Sequence, residues 1–168
     1  TDLSTKSAKA NARTMRIATF NLESLDDPVA SRVAVLRPAL ERLEADILCL
    51  QEVNGQKVGG RRMLAALEEL LSGTVYAGFF RASTRAGAGV ADVHNLVTLS
   101  RFPIIDERQV LHDLLPPLQV VPQTAEPAVQ EPVEIRFERP LLLTTHDLGG
   151  EQLSVINVHL RAGLASSI

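Results

Sequence analysis

The chain has 168 residues, of which 45% are hydrophobic and 22% are charged, a composition typical of one globular domain with its own core. Its 17 basic and 20 acidic residues leave a net charge of −3, which excludes a general basic field that could hold a polyanion. An anionic substrate would therefore need local arginines or a metal ion. The single cysteine, Cys49, excludes an intrachain disulfide.

Residues 1–14 are polar and lack the apolar core of a signal peptide, so they are predicted to be a disordered leader or a cloning remnant. The domain is then expected to cover residues 15–168. No stretch reaches the length of a transmembrane span. Together with the lone cysteine, these features favour a cytoplasmic location.

The first predicted elements are a strand and a helix. Residues 15–20 predict a short strand that ends at Asn21. Asp27 and Pro28 suit the N-cap and the first position of a helix, in which apolar residues recur every three or four positions. Pro38 lies inside that pattern and should kink the helix or begin a second one.

The next apolar run, Ile47 to Leu50, ends abruptly at Gln51 and Glu52. A strand that stays apolar over consecutive positions is expected to be buried on both faces. Strand, helix and strand in this order favour a parallel pair joined by a right-handed crossover. Taken alone, Glu52 fits a solvated loop position as well as it fits a ligand site.

The middle of the chain predicts a loop over 54–60, a helix over 61–71 with Met63 facing inward, a strand over 74–80, a loop over 81–92 and a strand over 93–100. Five prolines between 111 and 132 predict an extended surface excursion. Residues 133–145 and 152–160 predict two strands joined by a glycine-containing turn at 146–151. His112 and His146 are thus expected in loops.

Polar groups suited to phosphate or metal chemistry follow three strand-like runs: Asn21, Glu52 and His159. If these strands lie side by side and point the same way, the three side chains meet at one rim. A carboxylate binds a hard cation such as Mg²⁺, an asparagine orients a ligand without adding charge, and a histidine donates a proton near neutral pH.

The segments TFNL, LQEV, LSRFPI and INVHL occur in this order over residues 15–162. In this order they resemble the signatures of the endonuclease/exonuclease/phosphatase superfamily, the deoxyribonuclease I-like fold. The resemblance implies an α/β sandwich of two facing β-sheets flanked by helices, of which this chain holds roughly the first half. It also implies Mg²⁺- or Mn²⁺-dependent hydrolysis of phosphodiesters or phosphomonoesters in a nucleic acid, a nucleotide or a lipid headgroup.

The resemblance assigns a role to each matching position. Glu52 matches the metal-ligand glutamate, and Asn21 matches the asparagine near the metal and the scissile phosphate. His159 matches the histidine that contacts the phosphate and protonates the leaving oxygen. Asn95 stands where relatives place a catalytic polar residue near that histidine, and its neighbour His94 is more often packed or solvated. Arg139 matches a substrate-binding arginine, although a surface ion pair fits it equally well.

The family pattern continues with a Gly-Asp-x-Asn segment and a late Asp-His pair, and neither occurs in this sequence. The resemblance therefore implies a partial active site that is inactive in this chain alone. A C-terminal half or a second chain is expected to complete it. The alternative is a non-catalytic binding or scaffold module that retains the fold.

Overall fold

The computed structural model describes residues 14–111, 116–121, 126–127, 130–135 and 139–160. The elements in chain order are β1 (Ile17–Leu25), α1 (Ala30–Glu41), β2 (Ile47–Val53), β3 (Gln56–Val58), β4 (Arg61–Met63), α2 (Ala65–Leu71), a short 3-10 helix (Val75–Gly78), β5 (Phe80–Ser83), β6 (Asn95–Ser100), β7 (Ile104–Val110), β8 (Leu118–Val120), β9 (Val133–Ile135), β10 (Leu141–Asp147) and β11 (Gln152–Asn157). Neither α-helix in these ranges is long and apolar enough to cross a membrane.

Two sheets organise the chain. The first has the strand order β1-β2-β6-β5 and the second has the order β11-β10-β7. Strands β1 and β2 run parallel, with Ile17 opposite Ile47, so the predicted parallel pair is confirmed. The other pairings in both sheets are antiparallel. Helices α1 and α2 pack on one face of the first sheet and the second sheet packs on the other, which confirms the predicted α/β sandwich.

The alternation of side chains along β2 and β6 separates the two faces of the first sheet. Leu48 and Leu50 of β2 join Val97 and Leu99 of β6 in the core beneath the helices. Ile47 is also fully buried, so β2 is covered on both faces, as its apolar run predicted. Glu52 is the one residue of β2 that retains partial exposure.

The beginning of the chain differs from the prediction in two boundaries. Strand β1 does not end at Asn21, because after a local irregularity it pairs again with β2 at Leu25. Helix α1 begins at Ala30 without a side-chain cap, so Asp27 and Pro28 precede it. Pro38 lies inside α1 and no second helix begins there.

The predicted helix over 61–71 is wrong in its first turn. Residues 61–63 form strand β4, which pairs with β3 around a turn with positive φ at Gly59 and Gly60. Met63 is consequently 49% exposed and does not face the core. Helix α2 begins only at Ala65.

The predicted strand over 74–80 is also wrong, because Val75–Gly78 forms a 3-10 helix. Tyr76 enters the core here, where its hydroxyl donates to the Leu40 carbonyl and accepts from the Ala45 amide, each at 3.0 Å. These two hydrogen bonds satisfy the buried Tyr76 hydroxyl.

The predicted strand over 133–145 is two strands, since β9 pairs with β8 and β10 pairs with β7 and β11. The sequence does not predict strand β7, because the mostly exposed segment IIDERQV lacks a long apolar run. His146 was expected in a loop but lies buried within β10. His112 and nearly all of the predicted leader lie outside the described residues.

Candidate functional site

Asn21, Glu52 and His159 meet at one edge of the molecule. The Asn21 amide nitrogen lies 3.3 Å from Glu52 Oε1 and 3.5 Å from His159 Nε2. His159 Nε2 lies 3.3 Å from the same carboxylate oxygen. The sequence predicts that these residues lie at the ends of neighbouring strands. In the structure, His159 instead follows β11, which belongs to the second sheet. The site therefore spans the junction between the two sheets.

Both carboxylate oxygens of Glu52 are hydrogen-bonded. Oε1 accepts from Asn21, and Oε2 accepts from the Ser24 amide at 2.9 Å and from its hydroxyl at 3.4 Å. Burial acts to raise the pKa of Glu52, but the bonds from Asn21 and Ser24 and the nearby histidines outweigh it and lower the pKa overall. The side chain is thus held in place as an anion, and it remains 19% exposed.

The backbone around this carboxylate is strained. Five described residues other than glycine have positive φ, and four of them lie around the site: Glu23 (49°), Ser24 (52°), Glu52 (59°) and His94 (58°). Such conformations cost roughly 1–3 kcal/mol each and concentrate where a structure must hold side chains in fixed positions. The irregularities in the β1–β2 and β2–β6 pairings fall in the same region.

Arg139 contacts both ring nitrogens of His159. Its Nη1 atom lies 2.8 Å from Nδ1 and 3.0 Å from Nε2 of the imidazole. A guanidinium donates hydrogen bonds and accepts none, so we assign Nδ1 as the acceptor and place the ring proton on Nε2, facing Glu52. Burial lowers the pKa of His159 and the Arg139 charge lowers it further, more than Glu52 raises it. His159 is therefore largely neutral at neutral pH.

Asn95 lies beneath the site and is fully buried. Its Nδ2 donates to the carbonyls of Val53 and Ala91, and its Oδ1 accepts from the Ala91 amide and the Thr84 hydroxyl. The Asn95 amide group thus connects residues 84 and 91 to the end of β2. The catalytic role expected for Asn95 stays a prediction, and these contacts suit a positioning role better.

Sequence reasoning did not single out Asn157, which joins the two sheets. Its Nδ2 donates to the carbonyls of Leu50 and Val97, at 3.1 and 3.0 Å, and its Oδ1 accepts from Gln51 at 2.7 Å. Gln51 precedes Glu52 and Asn157 lies two residues before His159, so this contact sets how the two site residues face each other. The signal in the sequence was an amide inside the apolar strand pattern SVINV.

No group of three or more His, Cys, Asp or Glu side chains suited to a metal occurs in the described part of the chain. Among the described residues, Glu52 is the one carboxylate that contacts both Asn21 and His159. Mg²⁺ in phosphate-processing sites uses one or two carboxylates, several waters and the substrate phosphate. The hydrogen-bonded anion of Glu52 fits one of those ligand positions.

The sequence profile of the Endonuclease/Exonuclease/phosphatase family matches residues 18–159. No protein in a search of curated sequences matches the chain. Several solved structures share the fold at low sequence identity. An endonuclease/exonuclease/phosphatase family protein from Leptotrichia buccalis C-1013-b has a TM-score of 0.56 and 16% identity, and the alignment covers 91% of this chain and 57% of that one.

TDP2 from Caenorhabditis elegans has a TM-score of 0.54 and 17% identity, with 88% of this chain and 35% of that chain covered. D. rerio TDP2 in complex with a single-strand DNA product gives 0.50 and 17%, with 84% and 44% covered. The chain thus spans about a third to somewhat over half of the length of these structures. Since the family profile covers the strands and the site residues alike, the chain belongs to the Endonuclease/Exonuclease/phosphatase family.

Proposed function

We propose that this chain forms part of a divalent-metal-dependent phosphoesterase. The observation that carries the proposal is the meeting of Asn21, Glu52 and His159 within 3.5 Å of one another at the sheet junction. A phosphate group bound there would face an anion that can hold a cation, an amide, and an imidazole N–H. Membership of the Endonuclease/Exonuclease/phosphatase family supports hydrolysis as the reaction class.

Glu52 is the proposed metal ligand, for Mg²⁺ or Mn²⁺. When bound, the cation would polarise a phosphoryl oxygen and offset the negative charge that develops there. Asn21 keeps the carboxylate oriented through its bond to Oε1 and is close enough to reach a phosphate oxygen as well. One carboxylate holds Mg²⁺ weakly, so we propose that further ligands come from a C-terminal half or a second chain, and that this chain alone is inactive.

His159 is proposed to bind the phosphate through its Nε2 proton. Because its pKa lies below the ordinary histidine value of 6.5, the neutral ring with one proton is the main form at neutral pH. It then donates a hydrogen bond to a phosphate oxygen or to the leaving oxygen. Arg139, held against Nδ1, places a positive charge beside the same phosphate and orients the imidazole.

We propose a phosphodiester of a nucleic acid or a nucleotide as the substrate, with a lipid headgroup as the remaining alternative. The DNA product in the D. rerio TDP2 structure supports the first choice for a protein of this fold. Because the net charge is −3, the chain has no general basic surface, and we propose that the Arg139 charge and the His159 N–H bind the substrate.

The decisive experiment measures Mg²⁺-dependent hydrolysis of bis(p-nitrophenyl) phosphate by the full protein that contains this chain. Glu52→Gln should lower kcat/KM at least about 100-fold, because even outer partners of metal ligands cost about 10- to 100-fold. The matched control is Glu69→Gln, which removes an exposed carboxylate from α2. Equal activity in Glu52→Gln and the wild type would refute the proposal.

A non-catalytic binding module remains the second candidate, because the described residues supply one carboxylate and no three-residue metal cluster. Calorimetric titration of Mn²⁺ into the full protein separates the two. Binding that Glu52→Gln abolishes, accompanied by hydrolysis, supports the enzyme. Phosphate-ester binding that is independent of Mn²⁺ and unaccompanied by turnover supports the module.

A further inference from the structure

A cavity of about 440 Å³ opens beside the proposed hydrolytic centre. Arg139 and His94 form the wall that the cavity shares with that centre, since Arg139 contacts the His159 ring and His94 lies with its ring centroid 6.3 Å from that of His159. The cavity extends from there to Arg85 and Gln109. A phosphate bound at His159 would therefore lie next to the cavity.

His94 is held in an unfavourable state in this wall. Its φ is 58°, and its amide is held by the Asn54 side chain at 3.2 Å. Its Nδ1 atom is buried and has no hydrogen-bond partner among the residues that the structure describes. An unsatisfied buried nitrogen and a left-handed backbone at one residue are both costly, and together they indicate a side chain that the fold positions for a ligand.

The cavity wall carries two arginines, one of which is paired with a carboxylate outside the lining. Arg85 and Arg139 line it, and none of its described lining residues is an aspartate or a glutamate. Arg85 is fixed in place: its backbone exchanges hydrogen bonds with the Gln109 side chain, and its guanidinium pairs with Glu107 at 2.6 Å. Arg139 adds its charge at the boundary with the hydrolytic centre.

The described lining also contains no Phe, Tyr or Trp. Single-stranded nucleic acids and nucleobases are held chiefly by stacking on aromatic side chains, together with cationic groups along the backbone. This cavity offers the cationic groups without the aromatic platform. Its chemistry suits the phosphate of a ligand and not a base.

We propose that this cavity is a second phosphate subsite, which holds a phosphate next to the one at His159 through Arg85, Arg139 and His94. The inference rests on the proposed function, because it takes the phosphate at His159 as the reacting one. The preferred substrate then carries at least two phosphates, as a nucleic-acid strand or a small polyphosphorylated compound does.

Equilibrium binding tests the proposal independently of turnover. The full protein carrying Glu52→Gln is titrated with TpT, which has one phosphate, and with pTpT and TpTp, which have a second one at either end. A parallel pair, inositol 1-phosphate and inositol 1,4-bisphosphate, tests the small-molecule source. The second phosphate should tighten binding about tenfold or more in at least one series, as expected for hydrogen bonds to a charged group.

Two further substitutions locate the effect. His94→Asn keeps a residue that tolerates positive φ while removing the imidazole, and Arg85→Gln removes a charge. Each should reduce the gain from the second phosphate to about threefold or less. Arg85→Gln should also lower the slope of log affinity against log salt by about 0.7 for the strand ligand. The control Arg42→Gln removes an exposed charge next to α1 and should change neither quantity.

Equal affinities for the one- and two-phosphate ligands in both series would overturn the subsite, as would a preference that survives in both cavity variants. The proposed function fails on a different result, the absence of metal-dependent hydrolysis in the protein with Glu52 intact. A preference found in only one series supports the subsite and identifies the source of its ligand.

Discussion

The two faces of the four-stranded sheet are held by different forces. On the helical face, sixteen buried residues of the described part of the chain form one apolar cluster, among them Leu40, Leu48, Leu50, Leu67, Leu70, Val97 and Leu99. On the face toward the second sheet, the apolar cluster contains three buried residues within the described ranges, and buried polar side chains lie beside it. There Gln51 bonds to Asn157, and Ser100 bonds to His146 at 3.0 Å.

The two faces therefore contribute differently to the stability of the fold and to the geometry of the candidate site. Apolar burial is non-directional and scales with area, so the helical face supplies most of the free energy of folding. Hydrogen bonds are directional and contribute little net energy, but a buried partner left without its bond is costly. The polar face therefore fixes the position of the second sheet, and with it the distance between His159 and Glu52.

The largest effect on stability should come from the helical face. Leu67 is fully buried in α2, so Leu67→Ala removes apolar contacts and leaves a cavity. The free energy of unfolding should fall by about 2–5 kcal/mol, measured by denaturant titration. The control Val35→Ala, at a position 71% exposed, should change it by less than about 0.5 kcal/mol. Similar losses in both variants would contradict an apolar core on this face.

A smaller loss of stability, with a larger loss of activity, should follow Asn157→Ala. The substitution leaves the carbonyls of Leu50 and Val97 without their donor, at a cost of about 1–3 kcal/mol for a buried group. It also frees the strand that leads to His159. We expect kcat/KM of the full protein to fall more than tenfold at a temperature where it stays folded. Leu67→Ala, assayed where it is equally folded, should retain wild-type kcat/KM. A parallel response of the two variants would show that the polar face does not set the geometry.

The smallest effect concerns pH. Burial lowers the pKa of His146 in the folded state below its unfolded value of 6.5. Below pH 6.5 the unfolded chain therefore binds more protons than the folded one, so stability is full above that pH and declines as pH falls toward the folded pKa. One such group contributes a slope of at most about 1.4 kcal/mol per pH unit. His146→Gln should flatten the measured dependence of unfolding free energy on pH below 6.5. An unchanged slope would mean that His146 is not the titrating group at the sheet junction.

Local sequence patterns predicted the helices and strands in which apolar residues form a run or recur at regular spacing. The apolar run at Ile47 to Leu50 indicated a strand covered on both faces, and it is so in the structure. These patterns gave wrong predictions where pairing with another strand determines the secondary structure. Residues 61–63 have a helix-compatible sequence but pair with β3, and β7 is so polar that only its place beside β10 makes it a strand. A tertiary partner outweighs local preference at such positions.

In the candidate site, too, the sequence determined some features and the tertiary structure determined others. The sequence alone determined which groups are available: Asn21, Glu52 and His159 each follow or end an apolar run, and their surroundings match the motifs of one family. Only the tertiary structure decided that His159 follows a strand of the facing sheet and that Asn95 is bonded to the backbone next to the site. It alone also decided that His94 and Arg139 border a cavity whose wall includes Arg85. The physical reason is that periodicity reports which face of its own strand a residue occupies. The distance between residues on different sheets depends on buried hydrogen bonds, such as those of Asn157, that join segments more than a hundred positions apart in the chain.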